Sequence, residues 1–371
     1  MEEGVISPDC KIGFFMLRED EKFIRKAIKL AQKAKGKTSP NPLVGAVIVK
    51  DGKIVSKGYH RGSGKPHAEI EAINSSPVSL ADSTLYVTLE PCSVWGKTPP
   101  CVETIKQIPF KRIVIGMKDP NPSVNGRSIK ILKDAGYDVD VGVCEEEVKS
   151  LNPYFKEYIT CKKTYTILKI ALSKDNFIYS KNSPERYITC FESRRDLHKR
   201  RFTVDGILIG SNTINVDDPL LDTRNIEKNY KPKIIILDFS NKLDYSKNVF
   251  KDKKRLKLII VSKKFKTVLS DKKDIKYIFV KNKKESWDFV KNRLCEYKII
   301  SLIIEGGKSV FLDSLKNNVV DEVWIYKSFK ELKSGIKFNI EKILKDKKFK
   351  QVEEKKIGED IFKRYICLQE S

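Results

Sequence analysis

Between residues 19 and 35, Phe23, Ala27, Leu30 and Ala31 fall near one face of a 3.6-residue repeat, with lysines between them. That spacing predicts an amphipathic helix, stopped by Gly36. The period then changes. Residues 44–49 form a β-branched run, Asp51-Gly52 is a turn signal and residues 53–58 return, which predicts a hairpin. Residues 67–73 are helical in pattern, 84–89 and 112–117 read as strands, 128–135 as a short helix ended by Gly136, and 139–143 as a strand. Residues 145–160 read as one charged helix. The second half repeats the alternation. Lys162-Lys163 introduces a new strand, and further strands are expected at 233–238, 256–262, 275–280 and 298–304, with helices at 286–297 and from Ser309 onward. Strands alternating with helices in both halves predict α/β architecture, with a mixed central sheet sandwiched by helices in the first. The boundary is expected near Cys161, giving domains at 1–160 and 161–371.

Length supports the division, since 371 residues suffice for two cores. No stretch of about 18 apolar residues occurs, so no membrane span is expected. Met1-Glu2-Glu3-Gly4 lacks the basic-then-apolar order of a secretory signal. The eight cysteines show no disulfide framework, and a cytoplasmic, reducing compartment is the expectation. Lys and Arg give a net charge of +24. The densest runs, at 251–255, 263–266 and 281–284, do not make one stripe with interleaved aromatics and read as loops and solvated faces. No nucleic-acid partner is therefore expected, although a basic nucleic-acid deaminase is the alternative that such a charge raises.

Candidate chemistry gathers at 66–101. Pro66-His67-Ala68-Glu69 is followed by Pro91-Cys92 and by Cys101. One imidazole and two thiols suit zinc, and three protein ligands leave a fourth position for water, as in a catalytic site. Glu69 is the natural proton carrier. His-x-Glu followed by Pro-Cys and a second Cys is the signature of zinc-dependent nucleobase deaminases. Eight residues separate the two thiols, where the usual gap is two.

That longer gap belongs to Glu-Pro-Cys-Ser-Val-Trp-Gly-Lys-Thr-Pro-Pro-Cys at 90–101. The string resembles the deaminase half of the bifunctional riboflavin-biosynthesis deaminase–reductase. So do Ser39-Pro40-Asn41-Pro42-Leu43-Val44-Gly45, Gly58-Tyr59-His60, Gly64-Lys65-Pro66-His67-Ala68-Glu69 and Asp119-Pro120-Asn121-Pro122. Residues 165–175, Ser193-Arg194-Arg195-Asp196, 205–213, Asp217-Asp218-Pro219-Leu220-Leu221 and Arg224 resemble its reductase half. The resemblance implies a cytidine-deaminase-like α/β/α sandwich followed by a dihydrofolate-reductase-like α/β domain. It implies deamination of a phosphorylated diaminopyrimidinone and NADPH-dependent reduction of its ribosyl group, in a homo-oligomer. By the same resemblance Asn41, His60, Lys97, Asp119 and Asn121 contact the deaminase substrate. Ala171, Tyr187, Thr213, Asp217 and Gly307 contact NADPH, while Arg201, Leu221, Arg224 and Glu305 contact the reductase substrate. No G-x-G-x-x-G fingerprint supports the nucleotide independently.

Two positions depart from the family pattern. Asn176 stands where a Gly follows Ser-Leu-Asp, and Asn tolerates positive φ next best after Gly. Glu185, in Ser183-Pro184-Glu185-Arg186-Tyr187, stands where a substrate-binding Ser is usual. A deaminase joined to a silent reductase-like domain is the reading that these two departures leave open.

Overall fold

The structure, a computed structural model, describes residues 8–96, 98–180, 187–223, 226, 230–267, 269–281 and 286–368, with the backbone alone for 8–17 and 286. Lys97, Glu185 and Arg224 lie outside the described residues. The chain divides into two compact units, Met1–Cys161 and Lys162–Ser371.

The first unit is built on a five-stranded sheet in the order Lys53–Tyr59, Gly45–Lys50, Thr84–Leu89, Arg112–Met117, Asp138–Val141. The first three strands run antiparallel to their neighbours, and the last three run parallel, so the sheet is mixed as expected. Asp51 and Gly52 both adopt positive φ (50° and 70°), which matches a tight turn to the twist of its strands. Helix Pro8–Ala31 covers one face through Phe23, Ile24, Ala27, Ile28 and Ala31, all buried. Helix Ala68–Asn74 lies against the other, next to Gly58, where a β-carbon would come within 2.2 Å of the Ala68 carbonyl. Only glycine allows that approach, which brings the helix carrying Glu69 onto the sheet. The expected charged helix at 145–160 is instead two, Glu145–Leu151 and Pro153–Cys161. Pro153 cannot donate, and the Asn152 side chain leaves the helix to bond both N and O of Leu43 (2.7 and 2.8 Å).

The second unit holds a nine-stranded sheet in the order Ile275–Val280, Lys257–Ser262, Lys233–Leu237, Gly206–Gly210, Ser301–Ile304, Tyr165–Leu172, Glu322–Lys327, Asp360–Cys367, Phe349–Ile357. The first seven are parallel, and the final hairpin adds two antiparallel strands. Parallel strands buried on both faces read as continuous aliphatic runs, which is why Ile234–Leu237 and Leu258–Val261 were clear in the sequence.

Asn176 adopts φ 69°, so the turn keeps the left-handed backbone that its usual glycine would supply. The Asn side chain also accepts a hydrogen bond from Lys327 Nζ, which a glycine cannot do. Beside it, Asp175 accepts from Ser173 Oγ (2.6 Å) and from the backbone N–H of Leu332 and Lys333 (3.1 and 2.8 Å). We expect Asn176→Gly to melt close to the parent protein. Asn176→Ala should lose about 1–2 kcal/mol of stability to the left-handed backbone, measured by denaturant unfolding.

Candidate active sites

At the end of strand Thr84–Leu89, Pro91 and Cys92 leave the sheet, and Cys101 opens the next helix, Cys101–Ile105. His67 caps helix Ala68–Asn74 from extended backbone, which sends its ring toward the thiols. His67 Nδ1 lies 3.2 Å from Cys101 Sγ and 3.5 Å from Cys92 Sγ. All three donor atoms fall within 4.8 Å of one another. Two thiols and an imidazole nitrogen at this separation fit a zinc ion. The other ring nitrogen, Nε2, is 3.5 Å from Thr98 Oγ1, a partner able to hold the ring in orientation. The Cys92 thiol is pulled well below its ordinary value by bonds from Cys101 and His67, which outweigh burial and favour the thiolate.

Glu69, in the first turn of the same helix, is 3% exposed. Burial, reinforced by Cys92, pushes its carboxyl up to about 7. A carboxyl near neutrality both accepts and donates, as a proton carrier must. Asn41 and His60 meet beside His67, whose ring centroid lies 5.3 Å from that of His60. His60 Nδ1 is 3.1 Å from the Pro66 carbonyl and so carries the proton, while Nε2 accepts from Asn41 Nδ2 at 3.1 Å. Burial lowers the His60 pKa and keeps the ring neutral. Both ring nitrogens are thus engaged within the protein, one of them with the Asn41 amide.

Asp119 and Asn121 lie on the loop after strand Arg112–Met117. Asp119 Oδ1 accepts from Asn121 N (2.8 Å), and burial, which that bond opposes and Glu90 and Cys92 reinforce, raises its carboxyl to about 6. Glu90, which no sequence signal singled out, anchors this loop. Its carboxylate accepts from the N–H of Asp119 (3.1 Å), Gly126 (2.9 Å) and Ser128 (3.2 Å) and from Ser128 Oγ (2.7 Å). Two residues before a zinc ligand, it ties the metal strand to the Asp119–Asn121 loop.

In the second unit, the carboxyl ends of the parallel strands open into a cavity of about 1190 Å³. Ligands of open α/β sheets bind at such ends. Ala171, Tyr187, Arg201, Asp217, Leu221 and Glu305 all line it. Thr213 and Gly307 sit at neighbouring helix starts, where a methyl group on Gly307 would meet Thr213 Oγ1 at 3.6 Å. Arg201 grips Glu305 through Nε (2.7 Å) and Nη2 (2.8 Å) and bonds the Asp222 carbonyl through Nη1 (3.0 Å). Burial alone would raise the Glu305 carboxyl, but Arg201 and then Lys169 hold it down at about 2. Arg194 lies over the Tyr187 ring, 4.6 Å from its centroid.

Lys169 was missed in the sequence. It points from strand Tyr165–Leu172 into the cavity, and burial lowers its pKa against the pull of Glu305. Its signal was available: a lysine on an otherwise apolar strand of a buried parallel sheet.

A family model for the cytidine and deoxycytidylate deaminase zinc-binding region matches residues 17–117, and one for the RibD C-terminal domain matches residues 164–361. The riboflavin biosynthesis protein RibD of Aquifex aeolicus is 38% identical over 360 residues, covering 94% of this chain and 100% of its own. The corresponding Escherichia coli protein is 41% identical over 206 residues, 56% of each chain. A solved Thermotoga maritima structure, described as a diaminohydroxyphosphoribosylaminopyrimidine deaminase/5-amino-6-(5-phosphoribosylamino)uracil reductase, superposes with a TM-score of 0.84 at 31% identity. It covers 95% of this chain and 99% of its own. Acinetobacter baumannii RibD gives a TM-score of 0.82 at 27% identity, covering 95% and 100%. With both halves matched in one chain over almost its whole length, this protein belongs to the RibD family of riboflavin-biosynthesis proteins.

Proposed function

We propose that the chain converts 2,5-diamino-6-ribosylamino-4(3H)-pyrimidinone 5′-phosphate in two steps, hydrolytic deamination in residues 1–160 and NADPH-dependent reduction in residues 161–371. The observation that carries the first step is the His67, Cys92 and Cys101 donor set with buried Glu69 beside it. Zinc held there supplies Lewis acidity, bringing water within reach of deprotonation at neutral pH. Glu69 takes one proton from the attacking water and delivers it to the ring nitrogen, then takes the proton of the added hydroxyl and delivers it to the amine, which departs as ammonia as the carbonyl forms. The Asn41 amide, fixed by His60, orients the pyrimidine edge. Asp119 and Asn121, on the loop anchored by Glu90, complete the substrate pocket with Lys97 as a phosphate partner.

Ala171, Tyr187, Thr213, Asp217 and Gly307 would hold NADPH, which would supply the hydride for the second step. Hydride adds to the ribosyl anomeric carbon, the bond to the ring oxygen breaks, and that oxygen takes a proton to give the ribityl chain. Lys169 faces the cavity beside Glu305 and is placed to hold this proton. Leu221, Arg201, Arg224 and Glu305 seat the substrate, Arg201 with the guanidinium N–H groups that Glu305 and Asp222 do not use. No helix among the described residues is long and apolar enough to cross a membrane. We place the enzyme in the cytoplasm as a homo-oligomer acting on a phosphorylated small molecule rather than on nucleic acid.

The test is a coupled assay on zinc-loaded protein that follows ammonia release and then NADPH absorbance. Chelation should abolish ammonia release while leaving NADPH oxidation on separately deaminated substrate intact, and added zinc should restore the first. Ammonia without NADPH oxidation would reduce the second unit to a silent domain. Loss of neither activity on zinc removal would overturn the metal site.

A further inference from the structure

Arg255 ends the run Lys251-Asp252-Lys253-Lys254-Arg255, which reads in sequence as a solvated charge cluster. In the structure Lys251, Lys253 and Lys254 are exposed, but Arg255 is only 6% exposed. Among the described residues its guanidinium bonds no carboxylate. It donates instead to three backbone carbonyls: Nε to Pro232 (2.6 Å), Nη1 to Leu220 (3.0 Å) and Nη2 to Leu221 (2.6 Å). Asp252 and Asp222 act on it only through space. A buried cation without a bonded counter-ion is costly, and neutral carbonyls are weak compensation. Such an arrangement persists where a planar fork of donors is needed to gather several acceptors, a task that a lysine cannot perform.

The loop that Arg255 gathers forms a wall of the reductase cavity, through Asp217, Asp218, Pro219, Leu220 and Leu221. Its shape is not one that its residues favour. Asp218 and Leu221 both adopt left-handed backbone, at φ 43° and 51°. For a non-glycine residue that conformation costs about 1–2 kcal/mol, so it must be imposed from outside. Asp218 is held by its bonds to the N–H and side-chain amide of Asn248 (2.7 and 2.6 Å). Leu221 is held by the Arg255 fork on its own carbonyl and the preceding one.

We propose that Arg255 is a positioning residue of the reductase site, fixing the left-handed Leu221 turn that seats the substrate. The inference rests on the assignment of Leu221 to substrate contact. Without the fork the turn relaxes toward ordinary backbone and the leucine leaves its position. The cavity residues assigned to NADPH on other segments, Ala171 and Tyr187, stay as they are. The effect is therefore on substrate KM and on kcat/KM, with cofactor affinity preserved.

The experiment compares Arg255→Ala, Arg255→Lys and Leu221→Ala in the full chain. Ammonia release serves as an internal control, and NADPH affinity and stoichiometry are titrated by fluorescence. Arg255→Ala should raise the reductase KM about tenfold or more, with NADPH affinity and ammonia release at parent levels. Arg255→Lys should recover little of this, whereas millimolar guanidinium added to Arg255→Ala should recover much of it. An Arg255→Ala protein with parent KM whose kcat falls only in proportion to lost NADPH sites would show a purely structural role and overturn the inference. If Arg255→Ala no longer binds NADPH, Arg255→Lys decides: a raised KM at full NADPH stoichiometry supports the inference, and a parent KM overturns it. Leu221→Ala separates the two layers. A normal KM there overturns the substrate assignment, and the inference falls with it. A raised KM there beside a normal Arg255→Ala overturns the inference alone.

Discussion

Glu69→Gln should keep its zinc and lose ammonia release by about 10³-fold or more, because it removes the group that takes and returns the proton. The glutamine fills the same buried space beside His67, Cys92 and Cys101, so metal content should match the parent. NADPH oxidation on separately deaminated substrate should be unchanged. Zinc analysis together with the two assays checks all three statements. A variant that still releases ammonia at a tenth of the parent rate would remove Glu69 from the proton path.

Glu305→Ala should be the most destabilising change in the second unit. Arg201 and Glu305 have side chains only 11% and 8% exposed and meet through two bonds. Removing the carboxylate leaves the buried guanidinium without its bonded counter-ion, with the Asp222 carbonyl as its remaining close acceptor, and breaking such a pair costs about 3–5 kcal/mol. The loss has a pH signature. The Glu305 carboxyl is held at about 2 against an ordinary 4.5. Its folded value is depressed, so its contribution is complete above about 4.5 and disappears as pH falls toward 2. Denaturant unfolding should therefore show parent and variant far apart at neutral pH and converging in acid, with reductase activity lost throughout. Equal stabilities at neutral pH would refute the coupling.

How much of this was legible depended on what each residue does. The zinc donors and Glu69 were plain because metal and proton chemistry demand particular atoms at a strand end and a helix start. The parallel strands were plain because burial on both faces leaves long aliphatic runs. Asn176 was readable as a tolerated departure, since positive φ is a backbone requirement that few residue types meet. Glu90 and Arg255 were invisible, for their work is to collect backbone N–H or C=O groups from segments distant in sequence. No spacing encodes that. Arg255 was in fact misassigned to the surface, because charge runs are judged by their average and one member of this run turns inward. The break at Pro153 had a local signal, yet the charged residues around it suggested one continuous helix. The strands after residue 320 went unread, and Phe349–Ile357 is the instructive case. Its Lys350, Gln351, Glu353, Glu354, Lys355 and Lys356 conceal any alternation of apolar positions.

Those residues have a further consequence. Phe349–Ile357 is the outermost strand of the large sheet, so one side of its backbone pairs with no other strand among the described residues. An open row of N–H and C=O groups is a template on which another chain can add, the first step of aggregation. A border carrying lysines and glutamates at almost every position admits such an addition only by crowding charge on charge and stripping it of water. The composition that hides this strand from a reader of the sequence thus caps the sheet, ending a growth that its aliphatic interior would otherwise continue.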